Sequence, residues 1–399
     1  MRTLIDPDNA LALVLHHSAP MGPRRNSVHA AVGWTVAEDI AADADYPPFD
    51  RSMMDGYCVC VADAGERVRV AGEVAAGGTV AGVLVAGTAI EIMTGAPCPA
   101  GTEAVVPKED VTREGDAVTL PREITIGQNI TRRGTECAKG ATVLRVGDTI
   151  TPLALASIVT FGIESVLAYS TPRLAIITTG DELVPPNETP GPSQIRNSNG
   201  PMLTAMAQAL GVSPTLVIHA KDTMDELRTA LARAADTDFI VLTGAVSAGK
   251  YDSVPDALCE FGATPVFHKV TQRPGKPIFF ATRDKQLIFG LPGNPLSCHL
   301  GFHRYVAPAL RKFMHCDPVP PRIEGVLAAS FTVKGPRTLF QLARAEHRDA
   351  AWRVTPLVGR GSADMYAAAT ANALLRFEPG VGSVEAGTRI EFEWLLGAH

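Results

Sequence analysis

The sequence predicts a multi-domain protein of α/β and β type with a doubly wound α/β/α domain at its centre. Strand, loop and helix alternate from Pro172 onward, and Val68 to Leu120 are rich in Val, Gly and Thr in short alternating runs. A Pro-rich break, Asp317-Pro318-Val319-Pro320-Pro321, then precedes a last β-rich segment punctuated by Pro336, Gly359, Gly361, Pro379 and Gly380.

The bulk numbers set the frame. With 399 residues, 46% hydrophobic and 20% charged, the chain can bury several cores. A formal charge of -6, from 36 basic and 42 acidic residues, argues against a nucleic-acid binder held by phosphate neutralisation. No apolar run approaches the ~20 residues that span a bilayer, and Met1 to Asp8 do not read as a signal segment, so no membrane association and a cytoplasmic location are expected. Seven scattered cysteines suit reduced thiols, and Cys58 and Cys60 lack the second Cys or His pair that zinc spacing needs.

The first forty residues read as helical, with Asp8 capping Asn9 to Leu15 and a second apolar stretch from Val28 to near Ile40. A small β module follows from Tyr46, then a β-like stretch from Ala141 to Thr149 and a helix from Pro152 to Phe161 stopped by Gly162. The α/β region offers strands at Arg173 to Thr178, Phe239 to Leu242 and Leu287 to Gly290, with helices at Pro201 to Leu210 and Met224 to Ala235. In such a sheet the loops after the strands gather where ligands bind. Here they are Thr179-Gly180-Asp181-Glu182-Leu183, then Leu242 to Asp252, then Leu291-Pro292-Gly293-Asn294-Pro295-Leu296-Ser297.

The middle loop reads as an anion cradle: glycines and small residues admit close backbone approach, and the hydroxyls of Thr243 and Ser247 add donors. Carboxylates at strand ends, Asp181, Glu182 and Asp252, with Asp238 before the second strand, suit Mg²⁺ shared with a phosphate. Lys269, Arg273 and Lys276 form a cationic turn in which Pro274 and Pro277 stiffen Gly275-Lys276. Neither a Ser/His/Asp arrangement nor Gly-x-Gly-x-x-Gly supports a hydrolase or dinucleotide reading.

Pro47-Pro48-Phe49-Asp50-Arg51-Ser52-Met53-Met54-Asp55-Gly56-Tyr57, Ile92-Met93-Thr94-Gly95-Ala96-Pro97, Arg132-Arg133-Gly134, Thr179 to Leu183, the cradle loop, Pro274-Gly275-Lys276-Pro277 and Gly290 to Ser297 occur in this order. Together they resemble the molybdopterin molybdenumtransferase family, the MoeA proteins and the E domain of gephyrin, over nearly the whole chain. The resemblance implies a molybdopterin-binding-like α/β domain (171–316), a small β module (46–140), a helical/β linker domain (1–45 with 141–170) and a C-terminal β-barrel-like domain (317–399). It implies insertion of molybdate into adenylylated molybdopterin with Mg²⁺-dependent release of AMP. Catalytic roles would fall to Asp55, Thr94, Glu182, Asp252 and Lys276, with Glu182 and Asp252 as metal ligands. Substrate would be bound by Thr243, Gly244, Ser247, Gly249, Lys269, Arg273, Pro292, Asn294, Ser297, Arg337 and Ser362. A homodimer is implied, in which Asp55 and Thr94 of one subunit serve the other's cleft, with an adenylyltransferase and molybdoenzymes as partners. The chain departs from the family pattern at Ala245 (usually Gly), Trp34 (Arg), Arg273 (Lys) and Glu136 (Asp). A diverged paralogue that binds a pterin-nucleotide without turnover, or acts as a scaffold, is the alternative reading.

Overall fold

The computed structural model describes residues 2–78, 82–244, 254–359 and 361–398. The chain divides into two compact units, one of Met1–Arg24, Gly33–Thr35 and Ala168–His399, the other of Arg25–Val32 and Val36–Leu167.

The larger unit begins with strand β1 (Arg2–Ile5) and helix α1 (Pro7–His17). Asp6, not Asp8, caps this helix, its carboxylate accepting from the N–H groups of Asp8 and Asn9. Pro7 explains the shift, since it has no N–H to offer and its fixed φ suits the first helical position. Then follow β2 (Leu174–Thr179), α2 (Asn199–Gln208), β3 (Leu216–Ala220), α3 (Met224–Arg233), β4 (Phe239–Thr243) and α4 (Val254–Glu260). Next come β5 (Thr264–Val270), the two-residue β6 (Gln272–Arg273), β7 (Phe279–Arg283) and β8 (Gln286–Leu291). Helix α5 (Pro295–Gly301) runs through a π-helical segment, Phe302–Val306, into α6 (Ala307–Phe313).

Seven of these strands form one sheet in the order β1-β5-β7-β8-β4-β2-β3. The pairs β3–β2, β2–β4 and β4–β8 are parallel, whereas β7 runs antiparallel to both β8 and β5. The sheet is therefore mixed, with a parallel half. Leu174, Ile176, Phe239 and Val241 enter the core on one face, and Ala175, Ile177, Ile240 and Leu242 enter the core on the other. Burial on both faces is why these strands read as unbroken apolar runs. Ala10 and Val14 of α1 lie in the first of these cores, so β1 and α1 pack with the α/β sheet. Asp238 stands at the amino end of β4 and pairs with Arg173 at 2.9 Å, a structural anchor far from the strand ends where a ligand-bound metal was expected.

Strands β9 (Ile323–Leu327), β10 (Thr338–Arg348), β11 (Ala351–Pro356), β12 (Ala373–Phe377) and β13 (Arg389–Trp394) close into a five-stranded barrel, β12 pairing back onto β10. The short β6 extends it by pairing in parallel with β10, Gln272 opposite Thr338 and Arg273 opposite Leu339. An ion-pair cluster fastens the barrel to the helices: Arg304 lies 3.2 Å from Glu393, both buried, and Asp8 holds Arg376 in a bidentate pair at 2.7 and 2.8 Å.

In the smaller unit, Thr112–Glu114, Ala117–Thr119, Arg67–Val74, Thr88–Ile92, Gly56–Val59 and Ala104–Pro107 form a six-stranded sheet in that spatial order. Helix Pro152–Thr160 is capped by Thr151, and Gly162 follows it with φ +67°, as the sequence suggested. The stretch from Val28 toward Ile40 is not a helix. It is a 3₁₀ turn, Val28–Ala31, followed by the two-residue strands Thr35–Val36 and Ile40–Ala41, with Gly33 at φ +87° breaking any helical continuation between them.

Burial alone would raise the Glu393 pKa, but His303, Arg304 and Arg322 outweigh it and hold the carboxyl below its ordinary value. A folded-state pKa below the unfolded one gives stability that is full above the unfolded value and lost as pH falls through the folded one. Glu393→Ala strands Arg304 without its buried partner; a loss of about 3 kcal/mol is expected in urea unfolding at pH 7. The difference from the unsubstituted protein should shrink as the pH falls below about 4.5.

Candidate active site

The carboxyl ends of β3, β2, β4 and β8 stand side by side, and the residues beyond them wall a cavity of about 520 Å³. Thr179 and Glu182 come from the end of β2, Asp222 from β3, Gly244 from β4, and Pro292, Gly293 and Asn294 from β8. The chain leaves β2 to one side for β3 and returns on the other for β4, so the cavity sits at the switch point of the parallel half. Gly244 has φ +116°, and a Cβ there would lie 2.2 Å from Thr179 Oγ1 and 2.4 Å from the Thr179 carbonyl oxygen. Only glycine allows the two strand ends to meet this closely.

A fixed hydrogen-bond chain lines the floor. Asn199 donates through Nδ2 to the Gly293 carbonyl at 2.7 Å and to Thr243 Oγ1 at 3.1 Å, and Thr243 donates its hydroxyl hydrogen to the Pro292 carbonyl at 3.0 Å. Thr243 is buried and its one hydrogen is committed, so it ties two strand ends together and does not supply the donor expected for an anion cradle. The buried Thr179 Oγ1, Asn199 Oδ1 and Asp222 Oδ1 have no hydrogen-bond partner among the described residues. Sequence reasoning took Thr179 only as the first residue of the strand-end loop and did not select Asn199 or Asp222. Asp222 follows β3, an edge strand whose exposed alternate residues made it unreadable, and Asn199 opens a helix with no cap signature.

A second cavity of about 410 Å³ lies against the barrel and shares Pro277, Pro292 and Asn294 with the first. Arg273, Gly275 and Ser297 line it from the α/β side, and Arg337, Leu339, Phe340 and Ser362 from the barrel side. Asn294 donates to Ser362 Oγ at 2.9 Å, and the Ser362 carbonyl accepts from the Leu296 N–H, joining the two walls. Arg337 donates to the Gln272 carbonyl at 3.1 Å. Lys276 is exposed between Gly275, which lines this cavity, and Pro277, which lines both; Lys269 is half-buried and lines neither. Thus the first cavity carries the carboxylates Glu182 and Asp222 with one guanidinium, Arg196, and the second carries the guanidinium groups of Arg273 and Arg337 with one carboxylate, Asp364. Next to Ser297, burial pushes the Cys298 thiol up to about 12 and the His299 imidazole down to about 4, which leaves both neutral packing groups at pH 7.

In the smaller unit the structure brings Asp55 and Thr94 together. Thr94 donates through its N–H at 2.8 Å and its hydroxyl at 2.7 Å to Asp55 Oδ1, and Lys108 lies 3.5 Å from Oδ2. The N–H and hydroxyl of Thr94, with Lys108, hold the Asp55 carboxyl below its ordinary value. Lys108 was not anticipated. Glu136 pairs with Arg51 at 2.6 Å, so its acidic character is used, and Trp34 is half-buried in the larger unit. Ala245, Ser247, Gly249 and Asp252 lie outside the described residues.

Residues 5–162 match the MoeA N-terminal region (domain I and II), residues 175–312 a probable molybdopterin binding domain, and residues 324–395 the MoeA C-terminal region (domain IV). The chain is 33% identical over 404 residues to a molybdopterin molybdenumtransferase of Bacillus subtilis, covering 98% of this chain and 94% of that protein. It is 31% identical over 399 residues to one of Staphylococcus aureus, covering 98% and 95%. A molybdopterin biosynthesis MoeA protein from Pyrococcus horikosii superposes with a TM-score of 0.78 at 27% identity, over 99% of this chain and all of that one. Fold and matched regions define a transferase of molybdenum cofactor biosynthesis. The chain belongs to the molybdopterin molybdenumtransferase (MoeA) family.

Gly244→Ala tests the close approach of β2 and β4. The added methyl group meets a backbone carbonyl that cannot swing aside, so a loss of about 2–3 kcal/mol is expected, measured by thermal or urea unfolding.

Proposed function

We propose that this chain inserts molybdate into adenylylated molybdopterin and releases AMP with the help of Mg²⁺. The observation that carries the reading is the pair of adjoining cavities meeting at Pro277, Pro292 and Asn294, one with acidic groups in excess (Glu182 and Asp222 against Arg196), the other with basic groups in excess (Arg273 and Arg337 against Asp364). A substrate with a pyrophosphate at one end and an oxyanion acceptor at the other needs this division of charge.

In this reading the cavity at the strand ends holds the nucleotide and pyrophosphate, with Gly244, Pro292 and Asn294 against it and Ser247 and Gly249 completing the cradle. Glu182 and Asp252 are the proposed Mg²⁺ ligands. Glu182 lines the cavity, and the unpartnered Asp222 Oδ1 supplies a further hard oxygen, a donor set suited to Mg²⁺ shared with phosphate. Among the described residues no cluster of three acidic, Cys or His ligands stands ready, so phosphate oxygens would complete the shell. When bound, the ion neutralises charge on the pyrophosphate.

Molybdate is assigned to the second cavity, held by charge-assisted hydrogen bonds from Arg273 and Arg337, hydroxyl donors from Ser297 and Ser362, and Lys276 at the rim; Lys269, which lines neither cavity, is kept only as a further cation of the same stretch. Arg273 retains the charge the family places there as lysine and adds a planar fork for oxyanion oxygens. Asp55 and Thr94 are assigned to the catalytic set through a homodimer, in which they would serve the partner's site. The reading also keeps a cytoplasmic location, an adenylyltransferase and molybdoenzymes as partners, and the four-part division at 46, 141, 171 and 317. No helix among the described residues is long and apolar enough to cross a membrane.

The direct test is incubation with adenylylated molybdopterin, Mg²⁺ and molybdate, following AMP by chromatography and bound molybdenum by mass spectrometry. Both should appear together, and binding of the pterin-nucleotide without AMP release would refute the reading. Lys276→Ala should raise the molybdate concentration needed for half-maximal rate about tenfold while leaving pterin-nucleotide binding within about twofold. Asp252→Asn should weaken the Mg²⁺ dependence of AMP release; an unchanged Mg²⁺ titration would remove it from the metal site.

A further inference from the structure

Within the apolar core next to the turn that lines the second cavity lies a polar chain that packing does not require. Tyr305 and Gln272 are fully buried, and the Tyr305 hydroxyl donates to Gln272 Oε1 at 2.5 Å. The direction is fixed by the next link. Gln272 Nε2 donates to the Pro274 carbonyl at 3.2 Å, and a carbonyl can only accept, so the amide must turn Oε1 toward the tyrosine. The Gln272 main-chain carbonyl in turn accepts from Arg337 Nη1 at 3.1 Å.

Several features converge on this chain. Tyr305 sits in the π-helical segment Phe302–Val306, and such a segment turns a side chain away from the direction a regular helix would give it. Gln272 pairs with Thr338 on the barrel, placing Arg337 beside it. Gly275, at φ +84°, packs against the amide, since a Cβ there would lie 3.1 Å from Gln272 Nε2 and 3.4 Å from the Ser297 carbonyl. The surroundings, Phe267, Phe302, Ile278 and Leu291, would accept an apolar pair without loss. What the polar chain adds is at its far end: it fixes the turn that carries Arg273 and the guanidinium of Arg337, the two cations of the second cavity.

We infer that Tyr305 and Gln272 are positioning residues that set the spacing of Arg273 and Arg337 for a tetrahedral oxyanion, without touching it. The inference deepens the proposed molybdate site and rests on that reading. Loss of the tyrosine hydroxyl frees the Gln272 amide and with it the Pro274 turn, which shifts Arg273 relative to Arg337, still held on the Gln272 main chain, and the expected consequence is confined to the oxyanion.

The test compares Tyr305→Phe and Gln272→Glu with Arg273→Ala and Arg337→Ala, each in the full chain and each checked for folding by circular dichroism and thermal melting. For Tyr305→Phe the KM for molybdate should rise about fivefold, the yield of one buried hydrogen bond, with the KM for adenylylated molybdopterin within about twofold. Gln272→Glu keeps the acceptor for Tyr305 but loses the donor to Pro274, and the same selective rise is expected. A folded Tyr305→Phe whose molybdate KM is unchanged, or whose two KM values rise together, overturns the positioning role if Arg273→Ala and Arg337→Ala raise the molybdate KM. If neither arginine variant changes it, the oxyanion reading itself falls, and the inference with it.

Discussion

The meeting of two strand ends at Gly244 and Thr179 is the constraint on which the site depends. The parallel pair β2–β4 runs in continuous register from Leu174 opposite Phe239 to Thr178 opposite Thr243, and the next residues would collide if Gly244 carried a side chain. Because they do not collide, β4 stays in line with β8, and Thr243 reaches the Pro292 carbonyl while Asn199 spans to Gly293. The loops that wall the first cavity are thus held by backbone contacts deep in the sheet. Burial of both sheet faces supplies the rigidity, since neither core tolerates displacement of one strand relative to its neighbours.

The second cavity has a different origin. It exists because a two-residue strand, Gln272–Arg273, leaves the α/β sheet and joins the edge of the barrel at Thr338 and Leu339. That pairing brings Arg273 of the α/β side next to Arg337 of the barrel side, and the Asn294–Ser362 bond ties the same two walls together. Buried charge reinforces the junction, with Arg304 paired to Glu393 and stacked over Phe340, which lines the cavity. The barrel serves here as a partner that completes a site begun by the sheet.

Much of this was legible in the sequence, and the failures have physical causes. β2, β4 and β8 were readable because strands buried on both faces are apolar throughout, and the turns after them because Gly, Pro and Asn punctuate strand ends. β3 was not readable: as an edge strand it alternates the buried Ile218 and Ala220 with the exposed Val217 and His219, and Asp222 went with it. β5 and β7 were not readable because β5 is only partly buried and carries His268 and Lys269 within it, and β7 has only three fully buried residues before it turns polar at Thr282 and Arg283. The helix expected toward Ile40 failed because short apolar runs carry no period, and local glycine geometry decided the outcome. Thr243 was read as a donor because a hydroxyl's commitments depend on tertiary neighbours, here Pro292 and Asn199, which lie some 50 residues away in the chain.

The separation of charge between the two cavities carries a consequence for the order of events. In the proposed reading the first lining, Glu182 and Asp222 against Arg196, is acidic on balance and the second, Arg273 and Arg337 against Asp364, is basic on balance, so a free oxyanion would be drawn to the second side of Pro277, Pro292 and Asn294 before any bond changes. In the proposed reaction the bridging substrate pays the cost of binding across that boundary only when its phosphate end is neutralised near Glu182. Cleavage of the adenylate then removes the group that the acidic cavity holds, while the arginines retain the metal-bearing end. An excess of one sign in each lining, with Arg196 and Asp364 as the minority charges, would keep the two anions apart, so that less repulsion has to be overcome at the moment of reaction.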